Sequence, residues 1–253
     1  MPETMPLKGK HALISGGSRN LGEAVARRLA LLGAGVTINH WGDGDKAEEL
    51  RKDLAAGGRT VSVIEADVSR SDPIHLLVSR AVEALGPVDI LIHCAGPFAM
   101  TPFVQMDELE WDMILNTNLK GAYLLTKEIA PAMKRRGWGR IILMAAGSAF
   151  IRTHSIYTLA KASVITLTEE LAVELGPEVT VNAIAPGQIL ESAEIMDTFE
   201  PGFSEKAIRA APLKRLVSRP EVAEMMALIC TSPAMQSVTG HTFVMDGGWR
   251  LTA

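Results

Sequence analysis

The chain has 253 residues, of which 47% are hydrophobic and 21% charged, so it can bury a large core and is not intrinsically disordered. Its net charge of -4, without any block of Lys and Arg, argues against nucleic acid or an anionic membrane as a partner. Neither an apolar leader nor a run of about 18 apolar residues occurs, so we expect a cytoplasmic protein. Cys94 and Cys230 lie in apolar stretches, which favours buried thiols over a disulfide or a metal site.

Predicted strands and helices alternate along the chain. The apolar run 11–15 predicts a buried strand, and apolar residues at helical spacing predict a helix over 21–32. The alternation continues with strands at 36–39, 60–64, 89–93, 140–145, 179–185 and 242–245 and helices at 46–56, 73–85, 109–136, 155–175 and 219–230. Continuously apolar strands between helices are typical of a parallel sheet. We therefore expect an α/β protein over 1–253, a single-domain doubly wound Rossmann fold whose seven-stranded parallel sheet has helices on both faces.

One stretch, 188–213, has no clear period and contains several turn formers. It is interpreted as a substrate flap beside the six predicted helices. Met196, Phe199 and Phe203 within it suggest an apolar lining for a pocket, but they do not name a substrate.

The segment SGGSRNLG, 15–22, stands between the first strand and the first helix. A tight turn at this place presents backbone N–H groups and the helix N-terminus to a pyrophosphate. Gly16 and Gly22 suit such a turn, and Asn20 stands where a second glycine is expected. Asn is the residue that best tolerates a positive φ after glycine. The segment therefore predicts a dinucleotide site.

The choice between NADP and NAD depends on the charges around this loop. The second strand ends without an acidic residue, whereas Arg19 carries a fixed positive charge that can bind a 2′-phosphate bidentately. His40 is a candidate for a further contact. NADP is therefore favoured over NAD. Asp43 and Asp45 would reach the ribose only by a different loop path, and Asp43 is interpreted as a solvated turn residue.

Tyr157 and Lys161 stand four residues apart in a stretch with helical periodicity, so their side chains share one face of a helix. Such a pair occurs often by chance, and its meaning depends on the rest of the chain. Hydride transfer to a carbonyl leaves an oxyanion that needs a proton. The pKa of free tyrosine is about 10, and a nearby ammonium favours the phenolate. The pair is therefore a candidate proton donor with its electrostatic partner.

Together these segments resemble the short-chain dehydrogenase/reductase family over essentially the whole chain. The matching segments are SGGSRNLG, Asp67-Val68, His93-Cys94-Ala95-Gly96, Asn118 in NTNLKG, Tyr157-xxx-Lys161, Val181-Asn182-xxx-Pro186-Gly187 and MDGGW near the end. Each segment is weak alone, whereas their joint order and spacing are specific.

The resemblance implies an NADPH-dependent reductase of a carbonyl or imine in a small molecule. Tyr157 would donate the proton, Lys161 would hold the nicotinamide ribose, and Asn118 would hold a water of the proton relay. The residues expected to contact the cofactor are Gly16, Ser18, Arg19, Asn20, Leu21, Gly22, His40, Asp67, Val68, Ala95, Gly96, Tyr157, Lys161, Pro186, Gly187 and Ile189. The helices predicted at 109–136 and 155–175 are apolar on more than one face, and in the family they pair, so a homotetramer is expected.

The chain departs from the family pattern on the substrate side. Most members carry a serine after the fifth strand, but here alignment on the strand gives Ala146 and counting back from the tyrosine gives Met144. Ser148 would replace that hydroxyl only if the loop path differs. His93-Cys94 replaces the usual paired asparagines, and Glu191 replaces a common threonine.

Pteridine and dihydropteridine reductases tolerate loss of this serine, and Phe98 stands where they carry an aromatic that stacks on the pterin. A flat ring on Phe98 is physically reasonable, although a plain pocket wall is the simpler interpretation. Phe98, Ala146 and Ser148 are thus the substrate-side candidates, for a 3-oxoacyl or pteridine-like substrate. The alternative function is an NADP-binding module with lost or weak activity, which the missing serine motivates.

Overall fold

The computed structural model describes residues 5–151 and 153–252. Its strands form one parallel sheet in the order β3-β2-β1-β4-β5-β6-β7. The strands are β1 (His11–Ser15), β2 (Gly35–His40), β3 (Val61–Glu65), β4 (Ile90–His93), β5 (Gly139–Met144), β6 (Val179–Pro186) and β7 (Thr242–Met245). The predicted seven-stranded parallel sheet is confirmed. The strand order reverses between β1 and β4, and in open sheets of this type ligands bind in the crevice outside such a point.

Helices cover both faces of the sheet. They are α1 (Asn20–Leu31), α2 (Gly44–Ala56), α3 (Ser71–Leu85), α4 (Glu108–Leu115), α5 (Gly121–Arg136), α6 (Ile156–Leu175), α7 (Ala193–Phe199), α8 (Phe203–Ala210) and α9 (Arg219–Thr231). Among the described residues, none of these helices is both long enough and apolar enough to span a bilayer.

The core consists of two buried layers, one on each face. Leu91 of β4 packs in the layer formed with α3, α5 and α6. Its neighbours Ile90 and Ile92 pack in the layer formed with α1, α2 and α9. Successive side chains of a strand point to opposite faces, so a strand that is covered on both sides must be apolar throughout. This is the physical reason why the predicted strands read as continuous apolar runs.

Two regions differ from the sequence-based prediction. The helix predicted over 109–136 is interrupted by a π-helical turn, Asn116–Lys120, between α4 and α5. In addition, 188–213 contains α7 and α8, so six helices were too few. The π turn joins α4 to α5 without a non-helical residue between them, so the sequence gives no sign of a break. Helices of 7 and 8 residues are shorter than the window in which periodicity is measured.

Candidate functional site

The loop between β1 and α1 is packed tightly against the end of β4. Gly16 has a φ of 63°, and a Cβ placed there would lie 2.8 Å from Ala95 Cα. A Cβ on Gly22 would lie 2.9 Å from Gly17 Cα and would collide with the carbonyl oxygen of Gly16. Asn20 has a φ of 54°, so the prediction of a positive φ at this position is confirmed. The glycines form a cradle that a side chain would fill, which fits a bound pyrophosphate.

The structure contradicts the interpretation of Asp43 as a solvated turn residue. Asp43 Oδ2 lies 3.0 Å from Arg19 Nε and accepts a hydrogen bond of 3.1 Å from Ser18 Oγ. The turn after β2 passes through Gly42, whose φ of 79° brings the chain back to the N-terminus of α1. Arg19 is therefore already neutralised by a carboxylate at the place where a 2′-phosphate was expected.

The other residues predicted around the adenosine lie at the ends of β2 and β3. His40 and Val68 are buried, and Asp67 Oδ1 accepts a hydrogen bond from Ser69 N at 2.9 Å. The amide of Asn39 donates to the Ala66 carbonyl at 3.0 Å and joins the two strand ends. These residues do not line the cavity described next.

A cavity of about 550 Å³ lies at the carboxyl ends of β4, β5 and β6. The predicted site residues that line it are Leu21, Gly96, Phe98, Ala146, Ser148, Tyr157, Lys161, Pro186, Gly187 and Ile189. The predicted residues outside its wall are Gly16, Ser18, Arg19, Asn20, Gly22, His40, Asp67, Val68, Ala95 and Asn118. Met196, Phe199 and Phe203 also line it, as the sequence suggested.

Several lining residues were not found by sequence reasoning. They are Met100, Ile151, Thr153, Thr158, Gln188, Ser192, Glu200 and Trp249. Thr158 lies on α6, and the others come from loops and short 3-10 turns, which carry no periodic pattern. Only their position next to recognised motifs, such as Gln188 after Pro186-Gly187, gave any signal.

The start of α6 positions Tyr157 and Lys161. Ser155 caps this helix by accepting a hydrogen bond from Tyr157 N at 3.1 Å, and its hydroxyl donates to the Ala99 carbonyl at 2.8 Å. Lys161 Nζ lies 5.4 Å from the centroid of the Tyr157 ring and donates to the Met144 carbonyl at 2.7 Å. Both side chains line the cavity, so the helical face predicted from their spacing is the face that borders it.

Burial sets the protonation of this pair. It raises the pKa of Tyr157 to about 12, because the phenolate loses its hydration. Burial also lowers the pKa of Lys161 to about 8, since the ammonium loses its hydration in the same way. The phenol therefore keeps its proton at neutral pH and can donate it, while the ammonium is close to titration.

His93, which is buried behind the cavity, takes part in a series of hydrogen bonds whose donors and acceptors can be assigned. A carbonyl only accepts, so His93 Nε2, 3.0 Å from the Thr117 carbonyl, carries the proton. Burial lowers the pKa of His93 to about 3, so the ring is neutral and its Nδ1 accepts from Ser15 Oγ at 2.7 Å. Ser15 Oγ in turn accepts from Ala95 N at 3.3 Å. The chain joins the end of β1 to the π-helical turn.

Asn118 lies on that π-helical turn, behind the cavity wall. Its amide nitrogen donates to the carbonyls of Ile114 at 3.0 Å and Pro97 at 3.1 Å. Its Oδ1 is buried without a partner and faces Gly96, where a Cβ would collide with it. Gly96 itself lines the cavity, so only the absence of a side chain there brings Asn118 near the site.

The two positions that align with the missing serine, Met144 and Ala146, and the possible replacement, Ser148, all line the cavity. Met144 and Ala146 carry no hydroxyl and are buried. Ser148 lies on a 3-10 turn, Gly147–Phe150, that follows Ala146. A Cβ on Gly147 would lie 3.2 Å from the Pro186 carbonyl oxygen, which shows how closely the turn packs on β6. The loop path thus brings the Ser148 side chain to the same cavity as Tyr157.

The two cysteines differ in their surroundings. Both are free thiols; Cys230 is buried in the core, whereas Cys94 is partly exposed and lines the cavity. Burial raises the pKa of both to about 12, so neither is a thiolate at neutral pH. Within the described residues, no group of three His, Cys, Asp or Glu side chains is arranged to hold a metal ion.

Comparisons with known proteins agree with this geometry. A family model described as "Enoyl-(Acyl carrier protein) reductase" matches residues 16–250. The 3-oxoacyl-(acyl-carrier-protein) reductase FabG of Staphylococcus epidermidis is 32% identical over 242 residues, which cover 94% of this chain and 98% of the relative. A short-chain dehydrogenase/reductase from Serratia marcescens has a similar structure, with a TM-score of 0.88, 29% identity and coverage of 97% and 99%. A gluconate 5-dehydrogenase from Burkholderia cenocepacia, solved with NADP and tartrate, gives a TM-score of 0.90 at 25% identity, with coverage of 99% and 99%.

Proposed function

The chain belongs to the short-chain dehydrogenase/reductase family, and on that premise we propose that it is an NADPH-dependent reductase of a carbonyl or imine in a small molecule, with Tyr157 as the proton donor. The observation that carries the proposal is that the phenol of Tyr157 and the ammonium of Lys161 border one cavity at the carboxyl edge of the sheet.

The cofactor would be held by the residues predicted for it. The pyrophosphate fits the cradle around Gly16 and Gly22, and the nicotinamide would lie along Gly96, Pro186 and Gly187. When bound, NADPH supplies the hydride. The remaining steps concern protons and are carried out by the side chains of this chain.

Tyr157 donates its proton to the oxygen or nitrogen of the substrate as negative charge develops there. With a pKa of about 12, its phenolate is a poor product unless positive charge stands near it, and Lys161 supplies that charge. Asn118, with its unpartnered Oδ1 behind Gly96, would hold a water that returns a proton to Lys161. Ser148 would provide the second hydroxyl at the substrate oxygen.

The proposal is tested by NADPH oxidation with a panel of ketones, 3-oxoacyl thioesters and dihydropterins. Tyr157→Phe should reduce kcat by between about a hundredfold and ten-thousandfold, because a general acid is lost. Tyr123→Phe is the matched control, since Tyr123 is the other tyrosine of the chain and lies on α5 outside the cavity. NADPH binding without any turnover by the wild-type protein would support the alternative, a binding module.

NADP is proposed as the cofactor, with NAD as the weaker candidate. It is supported by Arg19 at the loop, by the relatives described as 3-oxoacyl reductases and by the structural neighbour solved with NADP. The carboxylate of Asp43 opposes it, because it competes with a 2′-phosphate for Arg19. The ratio of kcat/KM for NADPH and NADH measures the balance.

A homotetramer is proposed from the apolar side chains that α4, α5 and α6 leave exposed. These exposed residues are Leu109, Trp111, Met113, Tyr123, Leu159 and Val173, and Val104 is exposed in the segment before α4. Side chains of this size on adjacent helices indicate a surface that another copy covers. A monomeric mass by light scattering would contradict this proposal. The cytoplasm remains the expected compartment, where the two free thiols would stay reduced.

A further inference from the structure

We propose that the substrate is an uncharged ketone or imine with an aromatic ring beside the reacting carbon, and that Phe98 and Phe199 hold this ring. The proposal rests on the proposed reductase function and names the substrate class of the same site.

The cavity wall divides into two parts of different chemistry. The part near the sheet consists of small or backbone surfaces, among them Gly96, Pro186 and Gly187, and suits the nicotinamide. The opposite part consists of large soft side chains, which are Phe98, Met100, Ile151, Met196, Phe199, Phe203 and Trp249. The second part is therefore a candidate for the non-reacting portion of the substrate.

Aromatic rings lead from the proton donor into this second part. The Phe98 ring centroid lies 4.9 Å from that of Tyr157 at an interplanar angle of 69°, and 5.9 Å from that of Phe199 at 68°. Both are edge-to-face arrangements. A substrate oxygen at the Tyr157 hydroxyl places its next substituent beside Phe98, where a ring can extend the series of aromatic contacts.

These rings are only partly covered by the protein itself. Phe98 is 38% exposed and Phe199 is 58% exposed, although both line a cavity. Farther along, Phe203 and Trp249 close the series, with their centroids 6.2 Å apart at 82°. Methionines at positions 100, 144 and 196 add polarisable surface that pairs well with aromatic edges. The uncovered area fits a flat apolar group.

The charges in the wall argue against an anionic substrate. Among the described residues that line the cavity (5–151 and 153–252), Lys161 is the only Lys or Arg, and its ammonium donates a hydrogen bond to the Met144 carbonyl. Glu200, the one lining carboxylate, pairs with Lys206 at 2.8 Å. A carboxylate or phosphate in this cavity would lose its hydration without gaining a cation of its own.

The experiment compares two ketones of similar size, acetophenone with a flat aromatic ring and cyclohexyl methyl ketone with a puckered saturated ring, both with NADPH. Phe98→Leu and Phe199→Leu should each lower kcat/KM for the phenyl ketone about fivefold to tenfold, mainly through KM, and for the cyclohexyl ketone less than about twofold. For each ketone, kcat/KM of the variant is divided by kcat/KM of the wild-type protein, so the intrinsic difference in reactivity between the two ketones cancels. Phe103→Leu, an exposed phenylalanine outside the cavity, should leave both values unchanged.

Equal losses for the two ketones would overturn the proposal, because they would indicate a plain apolar wall. A higher kcat/KM for a 2-oxo acid or a 3-oxoacyl thioester than for the phenyl ketone would overturn it as well. Failure of the reductase function is recognised separately, as absence of turnover with every carbonyl tested. In that case, ligand-observed NMR of acetophenone with the NADP-loaded protein decides: Phe199-dependent binding supports the proposal, and no binding refutes it.

Discussion

The proposed cofactor side and the proposed substrate side of the crevice differ in what forms them. On the cofactor side, backbone approaches backbone, as at Gly16 against Ala95 and Gly22 against Gly17. On the substrate side, large side chains from loops and from α7 and α8 meet around a cavity, and some remain more than one-third exposed. The first arrangement admits few residue types, whereas the second admits many that are apolar and of suitable size. The residue types on the cofactor side are therefore restricted by close backbone contacts, whereas those on the substrate side can vary.

The largest effect is expected from adding a single methyl group on the cofactor side. Gly22→Ala would place a Cβ against the Gly16 carbonyl and force the loop to move. A displacement of about 1 Å at such a site lowers kcat/KM by about a hundredfold. Gly35→Ala, where a Cβ would meet only ordinary contacts of 3.7 Å and more, is the control. NADPH titration by fluorescence should show weak binding for the first variant alone; unchanged binding would contradict the close packing.

The second prediction concerns the hydrogen bonds of His93, which join the end of β1 to the π-helical turn. His93→Leu leaves Ser15 Oγ and the Thr117 carbonyl without their partner, which should lower the free energy of unfolding by about 2 kcal/mol or more. The loss should extend to kcat, because Asn118 follows Thr117. Urea unfolding measures the first effect and steady-state kinetics the second. His75→Leu, at an exposed histidine, should change neither by a comparable amount.

The same residue predicts how stability depends on pH. The pKa of His93 is about 3 in the folded chain and 6.5 in its unperturbed state, so the unfolded chain binds the extra proton. Stability should therefore fall as the pH decreases from about 6.5 towards 3, by up to about 1.4 kcal/mol per pH unit from this group. His93→Leu should lack this part of the slope. An identical acid slope in both proteins would show that His93 is charged when folded.

The next prediction concerns Lys161, which lies between the cofactor side and the substrate side of the crevice. Its pKa of about 8 predicts that kcat/KM for reduction falls above pH 8, as the ammonium that compensates the phenolate is lost. Burial of the charged ammonium destabilises the folded wild-type protein, whereas its hydrogen bond to the Met144 carbonyl stabilises it. The free energy of unfolding of Lys161→Met at pH 7 should therefore exceed that of the wild-type protein by about 2 kcal/mol. The folded pKa is lower than the unfolded one, so the wild-type protein should gain stability as the pH rises from about 8 to 10.5 and approach the variant.

The smallest expected effect lies at the exposed edge of the cofactor side. Asp43→Asn frees Arg19 for a 2′-phosphate and should raise kcat/KM for NADPH relative to NADH about threefold, the size typical of an exposed charge pair. Asp45→Asn is the matched control. A shift of the ratio towards NADH would mean that Asp43 does not compete with the phosphate.

The amino-acid pattern alone predicts the fold and the position of the proposed catalytic pair, Tyr157 and Lys161. Apolar runs between amphipathic stretches specify a sheet covered on both faces, because burial on two sides requires it. Positive φ at Asn20 and the shared face of Tyr157 and Lys161 also follow from local rules, which depend on neighbouring residues only. These features needed no knowledge of distant contacts.

The residues that lie across the crevice from these positions are brought there by folding. The contact of Asp43 with Arg19, the chain through His93 and the aromatic series from Tyr157 to Phe199 join segments far apart in sequence. Such contacts depend on loop paths and on short elements such as α7, whose position follows from packing and not from any local period. For this reason the sequence indicates the chemistry of the proposed site, while the proposed substrate class is inferred from contacts that exist only in the folded chain.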